Sequence, residues 1–413
     1  MRVVSAETLY DTIIILIDSH KRVAAAKSDL AAAQERANMT VGEWFPTLGV
    51  TANYGYEYQR KGQGSADTSL PPRNVELSLS QLLWDWGATN STIHRAQLEV
   101  EQSKLSLRSA RQSVILEAIS GYLEVLRQTR IVAFAKGSVA NIKHQADLED
   151  SKVLRGSGLA TDVLQAKTQL AGAEATVVQA EGALQNSKNR YKAVFNMFPA
   201  NIKKMKRPRL PTEVLPNSLE ESLEIAFKEN PQLLASTISA ELARNDVKKT
   251  TAEEFGPKIN ASLDKKWKHD DGGTIGGKQE TLAKIELTYS LNLWLTSINS
   301  LRASQKTLSA SESRYRDTFN LIEEQVRNAW ANLKTSKRNA ERLQNQANIA
   351  AEFLELARKE RQLGNRSLID VLAGETALIS AQSDAASAET DIALATFRLL
   401  SSIGRLDEKS LKK

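Results

Sequence analysis

Hydrophobic residues recur along this chain with two different periods, one of two residues and one of seven. A period of two predicts β-strands, because successive side chains of a strand point to opposite faces. Two such segments occur in each half of the chain, separated by turn-rich sequence. This arrangement predicts one β-hairpin at about 47–86, beginning with a continuous strand over 47–58, and a second hairpin at about 258–294.

The two faces of the predicted strands differ strongly in polarity. In the last strand the apolar set is Ile285, Leu287, Tyr289, Leu291 and Leu293, and the opposite set is Lys284, Glu286, Thr288, Ser290 and Asn292. Such strands belong to a soluble sandwich or to a membrane barrel, and charges opposite a face with tyrosine and tryptophan favour the barrel. Four strands cannot close a barrel, and an open edge in lipid leaves backbone groups unpaired. A membrane sheet therefore requires oligomerisation.

The period of seven predicts long helices that pack as a coiled coil. Its apolar positions are Val163, Leu170, Val177, Leu184 and Tyr191 in the first half and Val371, Leu378, Ala385, Ile392 and Leu399 in the second. A sustained heptad indicates a left-handed supercoil. Helical tracts at 88–154 and 297–363 precede these segments, and each would be about 100 Å long if continuous. Each half also opens with a predicted helix, at 6–42 and 219–254.

The chain is a tandem duplication. Asp162, Val163 and Leu164 recur 208 residues later as Asp370, Val371 and Leu372. Four of the nine prolines lie between residues 196 and 217, where a helix cannot persist. This places one repeat at 1–213 and the other at 214–413. Each repeat has a turn between its long helices, at about 155–162 and about 361–370. The first turn is predicted to have two fewer residues between its glycine and its aspartate, counted from Gly158 to Asp162, than the second.

Composition excludes several kinds of function. There are no cysteines, which excludes thiolate metal sites, cysteine nucleophiles and a lipid-anchoring cysteine. The four histidines are scattered, so neither a metal site nor a cofactor is predicted. The net charge of +6 is spread along the chain, which gives no nucleic-acid interface. No catalytic constellation appears, so the chain is predicted not to be an enzyme. If the protein is exported, this sequence is expected to be its mature form.

The order of these elements resembles the TolC-like outer-membrane channel proteins. The resemblance covers hairpin, long helix, turn with Asp-Val-Leu and heptad helix, all duplicated. It implies a homotrimer in the bacterial outer membrane, with a twelve-stranded β-barrel built from four strands per protomer. A coiled-coil helical tube would continue through the periplasm. The implied function is a passive exit duct for type I protein secretion or drug efflux, contacting outer-membrane lipid, a periplasmic adaptor (membrane fusion) protein and an inner-membrane ABC or proton-driven transporter.

The same resemblance gives the two turns the role of a gate that opens like an iris. The family's second turn carries Gly-x-Arg-x-x-x-Asp-Val-Leu, which stands here as Gly364, Arg366, Asp370, Val371 and Leu372. It implies a latch, meaning a contact that keeps the entrance closed, between Arg366 and Asp162. Arg361 stands where the family has a latch tyrosine. Asp370 is predicted to form an acidic constriction ring, with Glu375 as its neighbour.

One alternative remains open at this point. The heptads and hairpins also fit a soluble coiled-coil scaffold or adaptor protein whose β-hairpins are ordinary modules. The two interpretations differ in whether the apolar strand faces contact lipid, and a protein that is monomeric and soluble without detergent would contradict the channel.

Overall fold

The computed structural model describes residues 9–62, 64, 66–199, 201–202, 205–290, 295–408 and 410. Its helices are α1 (Leu9–Ser19), α2 (Lys21–Val41), α3 (Ala88–Leu154), α4 (Ala160–Phe195), α5 (Leu219–Glu229), α6 (Pro231–Phe255), α7 (Thr296–Gln362) and α8 (Leu368–Ser402). Its strands are β1 (Thr47–Tyr54), β2 (Glu57–Gln59), β3 (Thr68–Leu70), β4 (Arg73–Trp84), β5 (Lys258–His269) and β6 (Gly277–Thr288). The long helices α3 and α7 match their predicted bounds to within a residue.

The helix that opens each half is interrupted, where the sequence predicted a continuous helix. At the second break the side-chain oxygen of Asn230 accepts hydrogen bonds from the backbone N–H groups of Gln232 at 2.9 Å and Leu233 at 3.2 Å. Pro231 begins α6, where a missing N–H has no cost. At the first break His20 Nδ1 accepts from the N–H of Arg22 at 3.2 Å. Each break is thus a helix cap made by a polar side chain.

The main sheet is antiparallel, with strand order β1-β4-β5-β6. The predicted continuous strand over 47–58 is wrong, because β1 ends at Tyr54 and β2 pairs separately with β3. Gly55 donates its N–H to the carbonyl of Pro72 at 3.2 Å at this point. The glycine-rich segment 270–276 is the loop of the second hairpin. Positions 291–294, predicted to extend the last strand, lie outside the described residues.

On the inner strand β4, the apolar face of the sheet is the more exposed face. On β4, Val75, Leu77 and Leu79 are 43 %, 36 % and 39 % exposed, whereas Glu76 and Ser78 between them are half-buried. Polar residues on the other face pair with one another, as in the 2.8 Å ion pair between Lys266 and Glu76. A sheet in water buries its apolar face instead. This sheet therefore presents to its surroundings the face that water disfavours.

The described chain divides into two compact units that cut across the sequence repeats. One contains Lys27–Ser106 and Ala235–Thr318, which include the whole sheet, and the other contains the remaining described residues. Each unit draws on both halves of the chain. The repeat boundary at 213/214 is thus a feature of the sequence and stays a prediction. Within the part of the chain that the structure describes, no helix is both long and apolar enough for a transmembrane span.

The predicted heptad positions form the buried seam between the long helices. Val163, Ala166, Ala180, Tyr191 and Val194 are buried on α4. On α7 the buried set is Ile322, Val326, Leu333, Ala340, Ala347, Leu354 and Ala357. Alanine occupies many of these positions, as in the cluster of Ala347, Ala381 and Ala385, so the helix backbones approach closely. The prediction of a coiled-coil seam is confirmed at these residues.

The end of α8 depends on a glycine, which gives a stability prediction. Gly404 has φ +82°, and a Cβ there would lie 2.5 Å from the backbone oxygen of Glu229. Its own carbonyl accepts from Arg108 at 2.9 Å and Gln112 at 2.7 Å. Gly404→Ala is therefore expected to lower the free energy of unfolding by about 2 to 4 kcal/mol, measured as a fall in Tm by circular dichroism.

A second glycine variant is the control for that measurement. Gly172 lies inside α4, and a Cβ there would have no atom within 4 Å. Gly172→Ala should raise stability by about 0.5 to 1 kcal/mol, because alanine loses less backbone entropy in a helix. Equal Tm values for Gly404→Ala and the wild type would contradict the strained turn.

Candidate functional site

The two turns between the long helices end their first helices in the same way. After α3, Gly156 donates its N–H to the carbonyl of Val153 at 2.9 Å, and Ser157 donates to Lys152 at 3.0 Å. After α7, Gly364 donates to Arg361 at 3.0 Å, and the next residue donates to Glu360 at 2.9 Å. Both glycines have positive φ, +79° and +84°. This is the Schellman motif, which favours glycine at the left-handed position.

This geometry corrects the predicted difference in turn length. Gly156, and not Gly158, is the counterpart of Gly364, because 364 − 156 is the same offset of 208 that relates Asp370 to Asp162. The first turn is therefore as long as the second. Gly158 instead occupies the position equivalent to Arg366, and a Cβ there would lie 2.9 Å from the backbone nitrogen of Val153. The two turns differ in side chains and not in length.

Arg361, in the last turn of α7, connects three helices at this tip. One of its terminal nitrogens lies 3.0 Å from Glu149 on α3 and 3.4 Å from Asp162 on α4. The other donates to the backbone oxygen of Arg366 at 3.2 Å. We call Arg361, Glu149 and Asp162 the tip triad. It holds the ends of α3 and α4 to α7 by charge-assisted contacts, which are stronger than neutral hydrogen bonds.

Arg366 makes a different contact from the one predicted. Its Nε lies 2.6 Å from Glu360, and its guanidinium carbon lies 5.3 Å from the ring centre of Phe353. Asp162 meets Arg361 instead. Within one protomer Arg366 thus folds back onto α7 and Asp162 pairs with Arg361, and the latch between Arg366 and Asp162 stays a prediction.

Glu149 is a residue of the tip that the sequence patterns above did not identify, although its heptad position on α3 marks it. Ala135, Ile142 and Glu149 are spaced by seven, and all three are buried. A carboxylate at a heptad core position requires a cationic partner, because an unpaired buried charge is costly. Glu149 is 2 % exposed, and Lys152 lies 2.8 Å away as a second partner beside Arg361. The heptad of α3, if extended to the turn, would have identified this residue.

The pKa of Glu149 reflects this environment. Burial raises the pKa of its carboxyl, but hydrogen bonds from Lys152 and Arg361 outweigh burial and leave it below the ordinary value of 4.5. A carboxyl whose pKa is lower in the folded state stabilises that state at neutral pH. Its contribution declines as the pH falls below about 4.5 and is lost below the lowered folded-state pKa.

Acidification should therefore destabilise the protein partly through Glu149. We expect the Tm of the wild type to fall more steeply between pH 6 and pH 3 than the Tm of Glu149→Gln, which has no carboxyl to protonate there. Thermal unfolding of both proteins across this range measures the difference. Parallel pH dependences would show that folding does not lower the pKa of Glu149.

Glu375 does not have the exposure that a constriction residue needs. It is 2 % exposed and forms an ion pair with Arg358 of α7, and its carboxylate accepts from Asn141 of α3 at 3.3 Å. The prediction that Glu375 neighbours an acidic ring is thus not supported in the protomer. Asp370 is exposed in the first turn of α8, where its backbone N–H donates to Ser367 Oγ at 3.2 Å.

The position of this ion pair is occupied by reversed charges in the other repeat. Subtracting 208 from 358 and 375 gives Asp150 and Lys167, which lie 3.5 Å apart. Their side chains are 50 % and 59 % exposed, in contrast to the buried Glu375. The same structural position therefore holds a pair with a buried carboxylate and a 38 % exposed arginine in one repeat, and a solvated pair in the other. Within the described ranges, no group of three or more His, Cys, Asp or Glu could hold a metal.

Comparison with known proteins gives relatives along nearly the whole chain. The family model for "Outer membrane efflux protein" matches residues 15–195 and 223–405. The outer membrane efflux protein BepC of Brucella suis is 23 % identical over 401 residues, covering 96 % of this chain and 86 % of BepC. The outer membrane protein TolC of Vibrio cholerae is 24 % identical over 396 residues, covering 94 % of this chain and 88 % of TolC.

A solved structure shares the fold. The crystal structure of a membrane protein from Pseudomonas aeruginosa superposes with a TM-score of 0.86 at 19 % identity, covering 98 % of this chain and 92 % of that one. The predicted resemblance to TolC-like channels and the outer-membrane localisation are thus confirmed, and the fold is mostly helical with that channel architecture. With its family model matched in both halves, this chain belongs to the outer membrane efflux protein family.

Proposed function

We propose that this protein is a trimeric exit duct of the outer membrane that passively conducts substrates delivered from the inner membrane. The observation that carries this proposal is strand β4 of the sheet, where apolar Val75, Leu77 and Leu79 are exposed while Glu76 on the polar face is half-buried and paired with Lys266. Water disfavours such a face, and lipid favours it. A polar surface on the opposite face suits an aqueous lumen. The proposed role is transport and involves no catalysis.

The sheet of one protomer leaves its outer strands, β1 and β6, for pairing with other chains. Lipid cannot satisfy the backbone groups of these edges, so the sheet must close. Three copies supply twelve strands, which is an even number within the range of membrane barrels. The proposed trimer therefore joins β1 of one protomer to β6 of the next.

The proposed gate is the tip of the long helices. Arg361 would hold α3 and α4 against α7 in the closed state through Glu149 and Asp162. Opening would separate these contacts and widen the entrance. Asp370, exposed at the start of α8, would form the acidic constriction when three copies surround one axis.

The proposed partners follow from the direction of transport. A passive duct needs an energised transporter, which is an ABC or proton-driven protein of the inner membrane, and an adaptor that reaches the helical tip through the periplasm. The cargo is a small molecule or a secreted protein, and the relative BepC is named only as an efflux protein. Cross-linking followed by co-purification from cells would identify the transporter.

Reconstitution tests the proposed function. Purified in detergent, the protein should be a trimer by light scattering and should produce single-channel conductance steps in planar lipid bilayers. The soluble scaffold predicts the reverse. A monomer that stays in solution without detergent and gives no conductance would contradict the duct.

The substitution Asp370→Asn tests the proposed acidic constriction. Removal of three negative charges near one axis should lower the preference for cations and relieve block by multivalent cations. Reversal potentials in a salt gradient measure this preference. Asp150→Asn, which alters an exposed carboxylate on α3, is the control and should leave the reversal potential unchanged.

A further inference from the structure

Basic side chains interrupt the apolar face of the sheet near its hairpin-loop end. Along β5 this face continues from Ile259, Ala261 and Leu263 to Lys265, Trp267 and His269, because alternate residues of a strand share a face. Arg73 on β4 lies directly opposite His269 in the strand register. The face is therefore aliphatic at the helix end and basic and aromatic at the loop end.

Lys265 differs from the lysines on the opposite face. Lys266 pairs with Glu76 at 2.8 Å, and Lys268 pairs with Glu280 at 3.2 Å. Lys265 instead donates to the hydroxyl of Thr281 at 3.0 Å, and its ammonium lies 5.9 Å from the ring centre of Trp267. It forms no ion pair within the described parts of the chain. The sheet thus carries an unneutralised cation among apolar side chains.

Such a cation is costly on a lipid-facing surface unless an anion meets it. Lysine or arginine on the lipid face of a barrel is most destabilising at the bilayer midplane and less so towards the interface. Lys265 lies four residues from the end of β5, about 13 Å along the strand, and its long stem can carry the ammonium outwards. Trp267, two residues closer to the loop, has the position of an interfacial aromatic.

The other two basic groups lie farther out. The guanidinium carbon of Arg73 is 5.8 Å from the ring centre of Tyr54. His269 Nδ1 lies 2.8 Å from a carboxylate oxygen of Asp270, the next residue along the chain. Arg73 and Lys265 thus supply two permanent positive charges at different depths, and His269 lies opposite Arg73 in the strand register.

We propose that Lys265, Arg73 and His269 bind a phosphate-bearing lipid headgroup at the outer surface of the membrane. Arginine and lysine both donate to phosphate oxygens, and a lipid supplies acyl chains for the aliphatic part of the same face. The proposal rests on the proposed function, since it requires the sheet to cross the membrane with its loops outside. It adds a binding site and a ligand class to that function.

Lipid binding to the delipidated trimer tests this site. The probes are bisphosphorylated lipid A, the same lipid without phosphates, and inorganic phosphate, each titrated in detergent and followed by native mass spectrometry. The wild type should prefer the phosphorylated lipid, and Lys265→Gln should weaken its binding by roughly tenfold. Lys266→Gln, one residue away on the opposite face, is the matched control and should leave the affinity unchanged.

Each contrary result has a distinct meaning. Equal affinity for the dephosphorylated lipid, or equal affinity in wild type and Lys265→Gln, would overturn the headgroup site. Inorganic phosphate binding as tightly as the lipid would show an ion site without a lipid and would overturn it too. Planar-bilayer conductance of the same preparations separates this inference from the proposed function, because channels that conduct normally but do not select phosphorylated lipid contradict the inference alone.

Discussion

Arg361→Ala is expected to open the channel entrance. The variant removes contacts from α7 to both Glu149 on α3 and Asp162 on α4, and leaves Lys152 as the partner of a buried carboxylate. A charge-assisted hydrogen bond contributes about 1.5 to 3 kcal/mol, so the loss of two such contacts should shift the closed-to-open equilibrium by at least roughly tenfold. Single-channel recording in planar bilayers should show larger conductance or longer openings.

Arg366→Ala is the matched control, because it removes the other arginine of the same turn. Its partner, Glu360, belongs to α7 and is 47 % exposed, so the contact joins α7 to the turn and not to α3 or α4. Exposed pairs of this kind contribute about 1 kcal/mol or less. A larger conductance change in Arg366→Ala than in Arg361→Ala would identify Arg366 as the latch residue, as the family resemblance implies.

Arg358→Ala is expected to have the largest effect on stability at the tip. It leaves the carboxylate of Glu375, 2 % exposed, with Asn141 as its remaining hydrogen-bond donor. Removing one partner of a fully buried ion pair costs about 3 to 5 kcal/mol. Arg358 is itself 38 % exposed, so a smaller loss of about 2 to 3 kcal/mol is expected from the buried carboxylate that loses its cation. The variant should show a lower Tm and faster hydrogen exchange of backbone amides around Glu375.

The other repeat supplies the control for this prediction. Asp150→Ala removes the charge at the position equivalent to Arg358, but its partner Lys167 is 59 % exposed, so the expected cost is about 1 kcal/mol or less. The double variant Arg358→Leu/Glu375→Leu should recover much of the loss, since no buried carboxylate is then left without its cation. Equal Tm losses in Arg358→Ala and Asp150→Ala would mean that Glu375 is solvated in the protein.

Much of the fold was predictable because its signals are local. Helix and strand periodicities depend on residues close together in the chain, and α3 and α7 follow their predicted bounds closely. The failures occur where a single residue changes the backbone. His20 and Asn230 each cap a new helix within a predicted one, and Gly55 separates β1 from β2. These interruptions leave the hydrophobic pattern unchanged, so periodicity could not reveal them.

The candidate site was predictable in its location and not in its contacts. The repeated Asp-Val-Leu identified both turns and placed Asp162, Arg361 and Arg366 in them. The turn lengths were misjudged because Gly158 stands closer to Asp162 than Gly156, whose positive φ marks the true helix end. The burial of Glu375 also escaped the sequence, although it lies next to Gly374, where a Cβ would meet Leu354 and Phe353 at 3.3 Å.

The sequence by itself determined the duplication, the lengths of the long helices α3 and α7, the coiled-coil seam and the two faces of the sheet. These properties follow from residue order, because side-chain direction repeats every two residues in a strand and every 3.6 in a helix. Only the tertiary structure decided which arginine meets Asp162 and which carboxylates are buried. Such pairings depend on how far each helix end is rotated toward its neighbours, and residues some 200 positions apart in the chain carry no local signal of that rotation.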